Sequence, residues 1–311
     1  MSIVRYFPDD APPKWGHPVV ALGNFDGVHR GHQQLVEQIR RRAAEYAGTS
    51  VVMTFDPHPP RVLRPDKAPP LLMTLDQKIE AFTRAGVDAI VVVKFTPELS
   101  QWEPEYFVEA ALVDWLQPAE VWVGANFLFG RQRAGTFTLL RTIGEDRGFR
   151  AEKIEPVLYK DFVVSSTRIR HLLAEGRVDE AGALLGHHYF IDGEVVRGDG
   201  RGRELGFPTA NLRTDNDRIV ANGIYATMTR VGTEWHRSVT SVGVRPTIGD
   251  GRYTIETHLL DGHHDLYGSR VRLEFVRWIR PEQRFSSLDE LKARIADDCR
   301  AAEALFERMP L

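Results

Sequence analysis

Two histidines three residues apart, His29 and His32, close the stretch Gly23-Asn24-Phe25-Asp26-Gly27-Val28-His29-Arg30-Gly31-His32. It falls where an apolar run, residues 17–25, gives way to a helical pattern over 31–46 with Leu35, Val36 and Ile39 on one face. A helix N-terminus at a strand end offers unpaired N–H groups and a partial positive charge, which suits phosphate. Imidazoles on one side of its first turn can donate hydrogen bonds to phosphate oxygens through an in-line displacement, with no covalent intermediate. Gly31 lets the chain approach phosphate without a Cβ. Solvent-facing histidines on an ordinary helix have the same spacing, so the placement after a strand and a glycine turn is what favours a site.

Two further segments join it at one sheet edge, the first suited to a polyphosphate. Ser165-Ser166-Thr167-Arg168-Ile169-Arg170 sets hydroxyls before guanidiniums at a helix start. Gly124-Ala125-Asn126-Phe127-Leu128-Phe129-Gly130 follows another strand-like run. A second constellation lies farther on. The loop Gly198-Asp199-Gly200-Arg201-Gly202-Arg203 could wrap a nucleotide with backbone N–H groups, although no Walker A sequence occurs. Thr209 and Asn211 alternate, so an extended segment turns both the same way as oxygen donors for a magnesium–nucleotide. Glu256, in the strand-like run 254–261, could accept a hydroxyl proton. A mobile hairpin and a surface strand glutamate are the plain alternatives for these features.

The elements that must position these groups fall into two textures. Over residues 17–186 strand runs (17–25, 50–55, 89–95, 120–123, 154–159) alternate with helical patterns (31–46, 74–84, 104–116, 137–146, 166–173, 178–185). That alternation predicts a parallel α/β sheet of Rossmann-like design, with ligands outside the carboxyl ends of its strands. Thr74 and Gln77 have capping-box spacing. After 187, strand-like runs (190–197, 223–230, 236–242, 254–261, 271–279) follow one another until a helix over 288–306, predicting an antiparallel β-barrel with a terminal helix. The expected domains are 1–186 and 187–311.

Composition bounds the rest. With 311 residues, 40 basic against 43 acidic side chains and a net charge of −3, the chain lacks the basic excess of a duplex-binding protein. The single cysteine, Cys299, excludes an intrachain disulfide. Its apolar runs are too short to span a bilayer, and its first residues carry Arg5, Asp9 and Asp10, unlike a secretory signal. A cytoplasmic protein without membrane or nucleic-acid partners is expected. Arg40-Arg41-Arg42 reads as a solvated run, Trp102, Trp115, Trp122, Trp235 and Trp278 as packing residues. His187-His188 and His263-His264 are adjacent pairs that cannot easily share one ion on a strand.

The stretch through His32, together with Thr54-Phe55-Asp56-Pro57-His58-Pro59, the Asn126 loop and the Ser166-Thr167 segment, resembles the FMN adenylyltransferase module of bacterial bifunctional FAD synthetases. The Pro208-Thr209-Ala210-Asn211 box and Glu256-Thr257-His258 resemble the riboflavin kinase module of the same family. The resemblance implies phosphorylation of riboflavin by ATP to FMN, then transfer of AMP from ATP to FMN, giving FAD and pyrophosphate, with Mg²⁺ as cofactor. It implies that Gly23, Asn24, Phe25 and Asp26 bind ATP beside His29 and His32, that Ser166, Thr167 and Arg170 hold the triphosphate, and that Asn126 places substrates. It further implies Gly198, Gly202 and Arg203 as ATP contacts of the kinase, Thr209 and Asn211 as its metal–nucleotide ligands, and Glu256 as its base. Leu128 stands where the family often has arginine. A monofunctional enzyme retaining one module for binding, or a flavin sensor without turnover, are the competing readings.

Overall fold

A computed structural model describes residues 2–198, 202, 205–244, 253–262 and 265–309. By its internal packing the chain divides into two compact units, Met1–Ser165 and Ser166–Leu311.

The first unit runs β1 (Ile3–Phe7), β2 (Val19–Leu22), α1 (Arg30–Glu45), β3 (Ser50–Asp56), α2 (Pro59–Leu63), α3 (Leu75–Arg84), β4 (Ala89–Lys94), α4 (Pro104–Phe107, continued by a π-helical stretch, Val108–Leu116), β5 (Glu120–Gly124), α5 (Phe137–Arg147), β6 (Arg150–Ile154), β7 (Leu158–Tyr159) and β8 (Phe162–Val163). Six strands form a parallel sheet in the order β1-β4-β3-β2-β5-β6. From β2 the chain winds outward through β3 and β4, then crosses to β5 on the other side of β2. The order therefore reverses between β2 and β5, where Leu22 pairs with Val123, and a crevice opens at such a point. Every residue of β2 is buried, as a strand covered on both faces requires. Val20, Leu22, Met53, Val91 and Val93 pack there against Phe107, Leu112 and Trp115.

The sheet departs from the expected pattern at its edges. The edge strand β1 escapes a periodicity reading because four of its five residues are exposed or half-buried. The strand expected over 154–159 is divided: β6 ends at Ile154, and β7 pairs with β8 as a short hairpin. Pro156, which cannot donate to a ladder, lies at the break. The charged residues of β6 fit an edge position. The capping box of α3 forms as read, with the Gln77 N–H donating to Thr74 Oγ1 at 3.3 Å and the Thr74 N–H to Gln77 Oε1 at 2.9 Å. Arg42 departs from the solvated run, since it pairs with the fully buried carboxylate of Glu120, which also accepts from Tyr46 and Trp122.

The second unit holds α6 (Ser166–Ala174), α7 (Val178–Leu185), β9 (Tyr189–Val196), β10 (Ala210–Thr214), β11 (Gly223–Val231), β12 (Glu234–Val244), β13 (Tyr253–Leu259), β14 (Arg270–Arg280) and α8 (Leu288–Arg308). Its strands close an antiparallel barrel in the order β10-β13-β12-β11-β14-β9. The change of texture near Gly186 falls within this unit, because α7 packs on β14 and the Ala221 N–H donates to Leu173 O at 2.9 Å. Part of the barrel interior is polar: Thr229, Ser238, Thr227, Thr240 and Thr257 form a chain of buried hydroxyls with O···O separations of 2.7–2.9 Å. From α8, Cys299, Ala302 and Phe306 cover Val239 and Val276, while Arg280 and Asp298 form a buried bidentate pair at 2.7–2.8 Å. Trp115 is a packing residue as expected, whereas Trp235 and Trp278 are 43% and 40% exposed. His263 and His264 lie outside the described residues.

Candidate functional sites

The loop from β2 to α1 is held in an uncommon conformation. Phe25 and Val28 have φ of 51° and 40°, and Gly27 lies between them at 87°. Positive φ is costly for a β-branched residue and persists only where surroundings enforce it. The enforcing contacts are visible. The Phe25 ring, 1% exposed, packs edge-on to His32 and Phe82 with centroids 5.1 and 5.3 Å apart. Asp26 is buried, and its Oδ1 accepts the N–H groups of Leu72 and Met73 at 2.9 and 3.3 Å. Phe25 and Asp26 therefore shape the loop through their side chains. A Cβ on Gly23 would stand 3.3 Å from the Phe25 ring.

At the start of α1 the imidazoles of His29 and His32 stack, with centroids 3.6 Å apart and planes 16° from parallel. Neither an N-cap side chain nor a first-turn carboxylate closes this helix end, so its N–H groups and dipole are left for an anion. The His32 Nδ1 is buried and makes no hydrogen bond among the described residues. Burial, then the charges of His29 and Lys78, holds the His32 proton affinity well below the usual histidine range. His32 is thus a neutral imidazole at neutral pH, a hydrogen-bond partner rather than a fixed cation. A Cβ on Gly31 would stand 3.3 Å from the His29 ring, so this glycine makes room for the histidine as well as for a ligand. Asn126 is exposed in the turn after β5, and the direct pairing of β2 with β5 brings that turn to the same end of the sheet as the Gly23 loop. Leu128, 42% exposed, follows it.

Of two residues beside this loop, Thr54 opens the family-like stretch 54–59 without a role assigned to it, and Lys78 was not anticipated. Thr54, wholly buried near the end of β3, donates to Asn24 O at 3.2 Å. Lys78 of α3, 4% exposed, donates to the same oxygen at 3.1 Å. A lysine on the inward stripe of a helix, four residues before the buried Phe82, is the signal that could have found it. Ser166, Thr167 and Arg170 occupy the first turns of α6, which belongs by packing to the second unit.

On the barrel, Thr209 precedes β10 and Asn211 lies in it, while Glu256 lies in β13. Asn211 and Glu256 are direct cross-strand partners, so their side chains share a face. Thr209 Oγ1 lies 3.5 Å from Glu256 Oε2. The structure thus brings the three predicted residues together. Two glycines of the predicted loop approach them: a Cβ on Gly198 would overlap the Asn211 amide, and one on Gly202 would stand 3.0 Å from Thr209 Oγ1. His258, part of the family-like Glu256-Thr257-His258 run but given no role there, anchors this segment through Nδ1, 2.8 Å from Pro208 O, with its ring edge-on to Phe207. Its place two residues after Glu256, on the same strand face, was the available signal. Arg203 lies outside the described residues. The donor set of hydroxyl, amide and carboxylate oxygens fits a hard cation such as Mg²⁺ carried by a nucleotide. No cluster of three or more His, Cys, Asp or Glu side chains suited to a metal occurs among the described residues.

A parallel-sheet unit with paired histidines at a helix start and a barrel that gathers Thr209, Asn211 and Glu256 are the two halves of an enzyme of the two-domain kind. Residues 11–168 match the family model described as FAD synthetase, and residues 185–306 the one described as riboflavin kinase. The chain belongs to the bifunctional riboflavin kinase/FMN adenylyltransferase family. It is 39% identical to the protein of that name from Pseudomonas fluorescens over 98% of both chains. It is 37% identical to that of Escherichia coli K12, over 93% of this chain and 92% of the relative. A crystal structure from Streptococcus pneumoniae, described as a macrolide-efflux protein, matches with a TM-score of 0.86 and 27% identity over 99% of this chain and 100% of its own. No helix among the described residues of this chain is long and apolar enough to cross a membrane.

Proposed function

We propose that this chain makes FAD in two steps, phosphorylating riboflavin with ATP at the barrel and adenylylating the resulting FMN with a second ATP at the histidine site. The observation that carries the reading is that one chain holds both residue sets. Thr209, Asn211 and Glu256 are gathered beside Gly198 and Gly202, and His29 and His32 are stacked at an uncapped helix start.

At the barrel, Glu256 accepts the proton of the riboflavin 5′-hydroxyl as its oxygen attacks the γ-phosphorus of ATP, and ADP leaves. Thr209, within reach of the Glu256 carboxylate, keeps it oriented. Thr209 and Asn211 are the residues that would hold Mg²⁺ with the nucleotide, and the ion would supply charge neutralisation on the phosphates. Gly198, Gly202 and Arg203 contact the same ATP. Positioning and charge neutralisation carry most of the work in such a transfer.

At the sheet edge, an oxygen of the FMN phosphate attacks the α-phosphorus of ATP and pyrophosphate leaves. His29 and His32 donate hydrogen bonds to oxygens whose charge grows in the transition state, where preorganised donors count most. The backbone of the Gly23, Asn24 and Phe25 loop lies beside them, with the Phe25 N–H a donor of the same kind while that of Gly23 stays on Met53 O, and Asn126 helps to place the substrates. The assignment of Ser166, Thr167 and Arg170 to the triphosphate rests on the likeness of their segment to the family's. On function the chain divides at Gly186, with the adenylyl residues before it and the kinase residues after it. Working on soluble nucleotides and flavins, the enzyme belongs in the cytoplasm.

A chromatographic time course tests this, with riboflavin, ATP and Mg²⁺ in one series and FMN as the starting flavin in another. FMN rising first and FAD later, with FAD also made directly from FMN, is expected. FMN alone would refute the adenylyl assignment, and FAD from FMN only would reduce the barrel to a binding module. Flavin binding without conversion of either substrate would make the protein a sensor.

A further inference from the structure

Two buried charges of the first unit have different surroundings. Glu120 opens β5, at the sheet end away from the histidine loop, and Arg42, Tyr46 and Trp122 surround its carboxylate. Its role is accounted for by folding. Lys78 reaches from α3 to the functional end of the sheet and stops beneath the loop that leads to the histidines. Its ammonium donates to Asn24 O at 3.1 Å and approaches Thr54 Oγ1 at 3.4 Å. Thr54 donates to that same carbonyl at 3.2 Å. An isolated ammonium 4% exposed is costly to bury, and two acceptors repay only part of that. Burial lowers its proton affinity, while Asp26 and Asp56 nearby favour the charged form.

The consequence lies on the opposite side of the peptide. The Asn24–Phe25 bond is trans, so its C=O and N–H point in opposite directions. With the Asn24 oxygen drawn inward by Lys78 and Thr54, the Phe25 N–H is turned away from them. Phe25 also has the positive φ that aims its ring at His32. Releasing the Asn24 carbonyl would let this peptide rotate and take the ring support of His32 with it.

We propose that Lys78 is a positioning residue of the adenylyl-transfer site, clamping the Asn24–Phe25 peptide from beneath so that the loop keeps its N–H donor and His32 aimed at the nucleotide. Lys78 touches no substrate and acts through the loop. Its positive charge also lies close enough to His32 to lower that histidine's proton affinity, which helps keep the imidazole neutral. The inference rests on the adenylyl-transfer reading of the histidine site.

The test uses the full chain with Lys78→Met, Thr54→Val and Thr54→Ser, reading amide hydrogen exchange over residues 23–26 beside steady-state kinetics of both reactions. Lys78→Met should speed exchange at those amides and lower kcat/KM for ATP in FMN adenylylation by about 10- to 100-fold, as misplacement of donors by an ångström does. Riboflavin phosphorylation should keep its wild-type rate. Thr54→Val should fall between, and Thr54→Ser, which retains the hydroxyl, should match wild type. Unchanged exchange over 23–26, or unchanged adenylylation kinetics in folded Lys78→Met, would overturn the proposal. Equal losses in both reactions with a lowered unfolding midpoint would also overturn it, leaving Lys78 a purely structural residue. If wild type itself makes no FAD from FMN, the adenylyl reading fails, and the exchange pattern still decides whether Lys78 clamps the loop.

Discussion

His32 condenses the chemistry of the first site into one side chain. Stacked on His29 and desolvated, it binds a proton less readily than an unfolded histidine, whose ordinary value is 6.5. As pH falls below about 6.5 the unfolded chain therefore takes up its proton first, and the folded state loses stability until the folded imidazole also protonates. Urea unfolding followed from about pH 7.5 to 5.5 should show a declining midpoint, and His32→Gln should flatten that decline. Above this window the two proteins should show no pH-dependent difference from this source. At the other site, the carboxylate of Glu256 is the group its neighbours are arranged to serve. Glu256→Gln keeps the shape while removing the proposed base, so FMN formation from riboflavin should drop by about 10²- to 10⁴-fold, the range of general-base contributions.

Elements set these residues in place, mainly by letting backbone come close. Gly31→Ala puts a methyl 3.3 Å from the His29 ring. The ring must shift, and FAD formation from FMN should fall by about tenfold or more while riboflavin phosphorylation is unaffected. The hydroxyl chain through Thr229, Ser238, Thr227, Thr240 and Thr257 joins β11, β12 and β13 inside the barrel. Because a one-residue slip would turn these hydroxyls to the opposite face, the chain also fixes the register of β12 on β13 that sets Glu256 opposite Ser241. Thr240→Val removes the hydroxyl partner of buried Thr257 and one of the two of Thr227, and its unfolding free energy should fall by about 1–3 kcal/mol in urea titrations.

At the scale of the whole molecule, the two-site reading predicts separable losses. Glu256→Ala should stop FMN formation and leave conversion of FMN to FAD in place, and His32→Ala should do the reverse, each judged by chromatography on protein of native circular dichroism. Loss of both activities from either change in folded protein would refute two independent chemistries. Most of this organisation was legible beforehand because the motifs are local. Singly, the glycines, the histidine pair and the alternating oxygen donors leave ordinary alternatives open, and it is their combination, in the order the family has them, that points to phosphate and nucleotide chemistry. Buried strands such as β4 and the capping box of α3 were readable for the same reason, since periodicity and caps depend only on near neighbours in the chain.

What the amino-acid order determined by itself was therefore the two textures, the two motif sets and the helix starts. Each motif and helix start is written within a dozen or so residues, the textures are successions of such short patterns, and none needs a distant partner to be recognised. Tertiary structure alone decided which distant segments support them. Edge strand β1 and short β10 are specified by what they pair with and carry little periodicity of their own. Lys78 and Thr54 became part of the histidine site only when α3 and β3 converged on the Asn24 carbonyl. Asn211 met Glu256 only when the barrel closed. Packing places groups far apart in sequence within hydrogen-bond reach, and the cost of burying a charge or an amide is settled by those partners rather than by neighbours in the chain.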